Sequence, residues 1–303
     1  MIFLKTKLRF PLCFPIAVGM WSFAAVAVCA QGTSLAVAEA EIQKTIAAGG
    51  ADVGVYFRTL DGKAEWSSRA DESFHAASTM KVPVMIELFH QVKQGKVKLE
   101  DTLQVTNEFH SIVDGSAYQL DGGDDSDAEL YKSEGQSKTL RELCELMITV
   151  SSNLATNLLI EKLGVGNIRA TVHQLDADGM SVLRGVEDGK AFEKGLNNTT
   201  TARGLGLLLE AIANGKAVDA ESSRQMVEIL ERQKFNEGIP GGLPAGIPVA
   251  HKTGEITKIH HDAAIVYAKR PYVLVVLVGG LADKKESAAL MAAISKKLFA
   301  ATQ

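Results

Sequence analysis

The sequence predicts a mixed α/β (α+β) fold: an antiparallel sheet and its covering helices in one layered unit, with a helical insert between the two halves of the sheet. Three observations carry this prediction. Alternating apolar segments surround an Asp61-Gly62 turn near the start, helical periodicity dominates the middle, and β-branched runs return near the end before a last helical stretch.

From Ser34 to Ala48 apolar and small residues recur at helical spacing, and Gly49-Gly50 supplies a stop. Val53, Val55 and Phe57 then alternate with Gly54, Tyr56 and Arg58, and Asp61-Gly62 is a turn dipeptide that folds Lys63 to Ser67 back against them. Between about Thr79 and Asn214 the helical patterns are Val82 to Lys93, Leu140 to Val150, Asn153 to Leu163 and Thr201 to Ala213. The stretch Asp121 to Asp127, with Gly122 and Gly123, interrupts them and reads as a solvated loop, because the ligand spacing of an EF-hand is absent. Val249 to Thr253, Ala263 to Ala268 and Val273 to Gly279 restore strand character, and Lys284 to Ala300 closes the chain as a helix over one face. The α/β part is thus expected over about 31–76 and 217–303, the helical part over about 77–216.

The first thirty residues carry Lys5, Lys7 and Arg9 without an acid, an apolar stretch to Ala27, and then Val28-Cys29-Ala30. This is the pattern of a secretory signal peptide cut after Ala30, giving a secreted or periplasmic product of 31–303. Pro11, Pro15 and the short apolar core argue against stable membrane insertion. Removing three cations takes the formal net charge from -4 to about -7, which disfavours nucleic acid as a partner. Of three cysteines only Cys144 is left after cleavage, so no intramolecular disulfide is available and a packed, monomeric core is expected. Cys144 itself, between Leu143 and Leu146 on a helical pattern, reads as a small buried hydrophobe.

Three short segments could do chemistry. One Ser-x-x-Lys, here Ser78-Thr79-Met80-Lys81, is expected by chance in a chain this long, on the order of one occurrence. Its setting says more: Pro83 is best tolerated near a helix start, so Ser78 and Lys81 share a first turn and one face. That puts an amine beside a hydroxyl and the positive helix end beside charge that develops during attack. Read alone, Ser78 is equally an N-cap. Ser151-Ser152-Asn153, between two helical segments, is by itself cap-like. Lys252-Thr253-Gly254 is by itself a turn, although its glycine allows close approach to the strand. Together, Ser-x-x-Lys, then Ser-x-Asn 73 positions later and Lys-Thr-Gly another 101 on, form an ordered set.

That set resembles class A β-lactamases and the related penicillin-recognising serine hydrolases, over nearly the whole chain after residue 30. The resemblance implies the β-lactamase/transpeptidase-like architecture, an antiparallel sheet flanked by helices and joined to an all-helical subdomain, with the site between them. It implies Ser78 as the acylated nucleophile, Lys81 as its proton partner and Ser151 as a relay to the leaving nitrogen. Asn153 would hold the substrate amide, Lys252 and Thr253 would attract its carboxylate at the close-approach Gly254, and the backbone N–H groups of Ser78 and Glu255 would form an oxyanion hole. His261 falls near the family's basic residue for the carboxylate and reads equally as an exposed histidine. No cofactor is implied. No metal is expected at His260-His261-Asp262, since neighbours on a strand face opposite ways.

The middle motif has Ser152 where class A members usually carry aspartate. Deacylation in class A uses a glutamate and a water, and two incompatible candidates exist. Glu193 opens Glu193-Lys194-Gly195-Leu196-Asn197, which matches the family's Glu-x-x-Leu-Asn pattern, whereas Glu187 fits the distances to Ser151 and Thr200 and is preferred. A third reading leaves both as surface acids, with Asn198 and Thr199 capping the next helix. The expected function is hydrolysis of a small β-lactam. The alternatives are a D-alanyl peptidase or esterase that deacylates β-lactams slowly, and a non-turnover β-lactam sensor.

Overall fold

The computed structural model describes residues 1–4 and 34–303, so the expected signal peptide lies outside the described residues apart from its first four, which are exposed and form no regular element. Helix α1 (Leu35–Gly49) begins where the Ser34 hydroxyl accepts the Val37 N–H and ends at Gly50, whose φ of 62° suits a residue without Cβ. Strands β1 (Asp52–Thr59) and β2 (Glu65–Ser68) form the hairpin around Asp61-Gly62. The chain then leaves the sheet for α2 (Lys81–Lys93), α3 (Leu140–Thr149), α4 (Asn153–Leu163), α5 (Val165–Gln174), α6 (Ala202–Ala213) and α7 (Ala220–Leu230). It returns as β3 (Val249–Ile256), β4 (Ile259–Val266) and β5 (Tyr272–Gly279), and ends in α8 (Lys284–Thr302).

The sheet order is β2-β1-β5-β4-β3, and every neighbouring pair is antiparallel. Both chain ends therefore build one sheet. Strand β5 is buried along its length, which explains its unbroken apolar run. Its side chains alternate between two cores: Leu274, Val276 and Val278 pack with Ile42 of α1 and Met291 and Ile294 of α8, whereas Val273, Val275 and Leu277 share a core with the helical region. At roughly 1.5–3 kcal/mol for each large apolar side chain fully buried, these two layers hold the sheet between its helices.

Three sequence expectations are corrected. The β3–β4 hairpin is longer than its β-branched runs, with β4 opening at Ile259 rather than Ala263, because the turn lies at Thr257-Lys258. Helical structure also continues past residue 216: α7 sends Met226, Ile229 and Leu230 into the helical core from an otherwise polar sequence. Finally, the Asp121 to Asp127 stretch is not simply solvated. Asp125 and Asp127 are buried, because the Asp125 carboxylate accepts the backbone N–H groups that open α4. No helix among the described residues is long and apolar enough to cross a membrane.

Candidate active site

Ser78 lies in a 3₁₀ turn, Ala77–Met80, that runs directly into α2, and it caps neither element. Ala77 before it has a φ of 46°, an unfavourable backbone for a residue with a Cβ, so the turn is forced by its surroundings. Ser78 is half-buried and opens on a groove of about 660 Å³, which Ser151, Asn153, Thr253, Glu255 and His260 also line. Strand β3 passes close behind it. A Cβ added to Gly254 would stand 3.1 Å from the Thr79 nitrogen and 3.2 Å from the Ser78 nitrogen, so only glycine lets the strand approach the Ser78 backbone this closely.

Two lysines meet at Ser151, and both are fully buried. The Lys81 amine, one helical turn from Ser78, donates to Ser151 O at 2.6 Å, Asn153 Oδ1 at 2.8 Å and Ser151 Oγ at 3.2 Å. The Lys252 amine, from β3, donates to Ser151 Oγ at 3.0 Å and Thr253 O at 2.8 Å. Both lone pairs of the Ser151 hydroxyl are thereby used, which leaves its proton as the group available to the groove. Ser151 reaches this point with a φ of 61°, between the end of α3 and the start of α4. Burial pushes Lys81 down to about 7, against the opposing pull of the Asp125 and Glu187 carboxylates. Lys252 is also pushed well below the usual lysine range, first by burial and then by Lys81, with Asp262 opposing. The Ser151 hydroxyl, held between two amines of which Lys81 is near neutrality, can pass a proton between Lys81 and a group in the groove.

Glu187 joins this cluster. Its Oε1 accepts Asn153 Nδ2 at 2.8 Å and its Oε2 accepts the Asp121 N–H at 3.4 Å. Asn153 therefore links Lys81 to Glu187 through its two amide ends. Burial raises the Glu187 carboxyl above the ordinary glutamate range, although these hydrogen bonds oppose the shift. The residue is left-handed, with a φ of 61°, and its loop is tied down on both sides. Asn157 Oδ1 accepts the Val186 N–H at 2.7 Å and its Nδ2 donates to Val186 O at 3.1 Å. Asp188 accepts from Ser111 Oγ and from the N–H groups of Ile112 and Ala191, while Asn198 Oδ1 accepts the N–H groups of Leu183 and Arg184.

The other acid is not brought to this cluster. Glu193 ends the short helix Gly189–Glu193 and is exposed. Leu196 and Asn197, which completed its motif, instead accept the Arg184 guanidinium through Leu196 O and Asn197 Oδ1. Thr201, not Asn198 or Thr199, caps α6. His261 requires a correction. It is fully buried and pushed down to about 4 by burial; its Nδ1 accepts the Val278 N–H at 3.0 Å, so its Nε2 donates to His75 O at 2.9 Å. A neutral, buried ring cannot meet a substrate carboxylate in the groove, and it is His260 that lines it. Asp262 turns away again and pairs with His251 at 3.0 Å. Cys144 is fully buried on α3, and burial pushes its thiol up to about 12.

Asp125 and Asn157 are the supporting residues that sequence reasoning did not single out. Asn157 had a local signal, since it lies four residues after Asn153 and so on the same helix face. Asp125 had none, because its contact with α4 joins segments 28 residues apart.

Ser78 and two buried lysines stand at the seam of the antiparallel sheet and the helical region, an arrangement that suits a serine hydrolase. A family model described as the Beta-lactamase enzyme family matches residues 37–302, and the chain belongs to that family. It is 27% identical over 280 residues to a protein named β-lactamase from Mycobacterium tuberculosis, covering 86% of this chain and 83% of that one. Among solved structures, an ancestral class A β-lactamase aligns with 25% identity and a TM-score of 0.74 over 86% of this chain and 98% of the other. The structure of PBP-A aligns with 25% identity and a TM-score of 0.74 over 88% and 96%.

Proposed function

We propose that this chain hydrolyses the amide bond of β-lactams through an acyl-enzyme on Ser78. The observation that carries this reading is the Ser151 hydroxyl held by both Lys81 and Lys252, with Asn153 joining Lys81 to Glu187. Ser78 Oγ attacks the lactam carbonyl as its proton passes to Lys81, and the backbone N–H groups of Ser78 and Glu255 hold the oxyanion. As the C–N bond breaks, Ser151 gives its proton to the leaving nitrogen and is reprotonated from Lys81. Lys252 and Thr253 hold the substrate carboxylate and Asn153 its amide. Glu187 then takes a proton from water as that water attacks the ester; the bond from the acyl carbon to Ser78 Oγ breaks, and the proton held by Glu187 returns to Ser78 Oγ, which restores both groups.

The PBP-A likeness, equal in identity and TM-score to the class A one, favours a second reading. In it the same residues acylate on a D-alanyl peptide or ester, and β-lactams deacylate slowly. Mixing the protein with a chromogenic cephalosporin separates the two: the primary reading predicts steady turnover of many equivalents. A burst of one equivalent that stops overturns it in favour of the second. The same proposal includes export with loss of residues 1–30, so that domain 31–303 acts as a monomer. An intact mass of the exported protein that begins elsewhere than Gln31 contradicts that cleavage.

A further inference from the structure

The segment Ser151-Ser152-Asn153 supplies two side chains to the site, yet its middle residue is too short to brace it as an acid would. Something else must hold it. The first four N–H groups of a helix have no partner within the helix. In α4 these four, counted from the Ser152 cap, are all satisfied. The Ser152 N–H donates to Leu146 O at 3.1 Å, and Ser152 Oγ accepts the Ala155 N–H at 3.3 Å. Asp125 provides the rest: its Oδ2 accepts Asn153 N at 2.9 Å and Leu154 N at 3.1 Å, and its Oδ1 approaches Asn153 N at 3.1 Å.

Asp125 is itself held firmly. The Tyr131 hydroxyl donates to Oδ2 at 2.9 Å and the Asp127 N–H to Oδ1 at 3.1 Å, while Ser126 Oγ pins the loop to Val150 O at 2.7 Å. The carboxylate is buried, borders the groove beside Ser151 and Asn153, and meets the positive end of α4.

We propose that Asp125 is a positioning residue for acylation: from the 121–127 loop it fixes the start of α4, hence Ser151 and Asn153, and supplies a negative charge beside Lys81 in place of the acid that Ser152 lacks. This rests on the reading of Ser78 and Lys81 as the acylating pair. Three titratable groups face the Lys81 amine: the Asp125 carboxylate from this loop, the Glu187 carboxyl from the loop before Gly189–Glu193, and the Lys252 amine from β3. Loss of the Asp125 charge therefore favours neutral Lys81 and moves its titration to lower pH.

The test is the rate at which a fluorophosphonate probe labels Ser78, followed against pH in the full chain with Asp125, with Asp125→Asn and with Asp125→Glu. This probe reports on the nucleophile whatever the natural substrate is. Asp125→Asn is expected to lower the plateau rate about tenfold or more through misplacement of Ser151, and to shift the acid limb down by about one pH unit. Asp125→Glu keeps the charge, so its limb stays at the unmodified position while its plateau falls. That comparison remains decisive if the Asn variant does not fold. An unmoved limb in Asp125→Asn, or unmodified plateaus in either variant, overturns the proposal. If Ser78 is labelled with these shifts but no cephalosporin is processed, only the β-lactam reading falls. Absence of Ser78 labelling in the unmodified protein contradicts both.

Discussion

Two regions converge on the segment from Ser151 to Asn153, and they are built in opposite ways. Ser78, Lys81 and Lys252 stand on or next to regular elements, a 3₁₀ turn leading into α2 and strand β3, and their placement follows from sheet and helix packing. Glu187 stands on a loop with a left-handed backbone, held by side chains from elsewhere: Asn157 on α4, Asn198 farther along the same loop, and Ser111 through Asp188. The half assigned to acylation is thus rigid by architecture, and the half assigned to deacylation by a polar web. The difference teaches that the two steps can be broken separately.

The largest separation is expected from Glu187→Gln, which removes the base that the proposed mechanism uses on water and leaves Ser78 untouched. Steady-state turnover of a chromogenic cephalosporin should drop by about 10³, while the first-turnover rate by stopped flow changes only a few-fold. Equal losses in both rates would erase the distinction. Gly254→Ala should act on the other half. Its Cβ would stand 3.1–3.2 Å from the Thr79 and Ser78 nitrogens, and the resulting displacement should slow the first turnover by about 10².

The pH profiles should differ as well. Lys81 is pushed down to about 7 and is needed as the neutral amine, so acylation should fall about tenfold per pH unit below that value and level off above it. Glu187 is needed as the carboxylate and is raised, so deacylation should be lost as pH falls while still above the ordinary glutamate range. Single-turnover and steady-state rates measured across pH would show one limb for each step. The smallest effect is expected from Asn157→Ala, which frees both Val186 backbone groups. It should cost about 1–3 kcal/mol in denaturant unfolding and slow deacylation several-fold, with acylation nearly unchanged.

The same contrast decides what could be read before the structure. The sheet, α1, α2, α3, α4 and α6 follow from periodicity, whereas α5 has no pattern that marks it, and the three motif segments stand out because each has a fixed local spacing. The hairpin ends near Thr257-Lys258 did not, since strand pairing extends past the β-branched residues. The choice between Glu187 and Glu193 rested on two alignments because the loop's path depends on Asn157, Asn198 and Arg184, contacts invisible to local spacing. The Glu-x-x-Leu-Asn match pointed to residues that anchor Arg184 instead. His261 was misjudged for a related reason. Strand alternation shows that neighbours part, but not which of them faces water.

The most direct test of the acyl-enzyme account is intact-protein and peptide mass spectrometry after brief mixing with a penicillin, on the unmodified chain and on Glu187→Gln. The account predicts a single adduct on Ser78 that is fleeting in the unmodified chain and persists in Glu187→Gln. An adduct on another residue, no adduct in either protein, or equal lifetimes in both would contradict it.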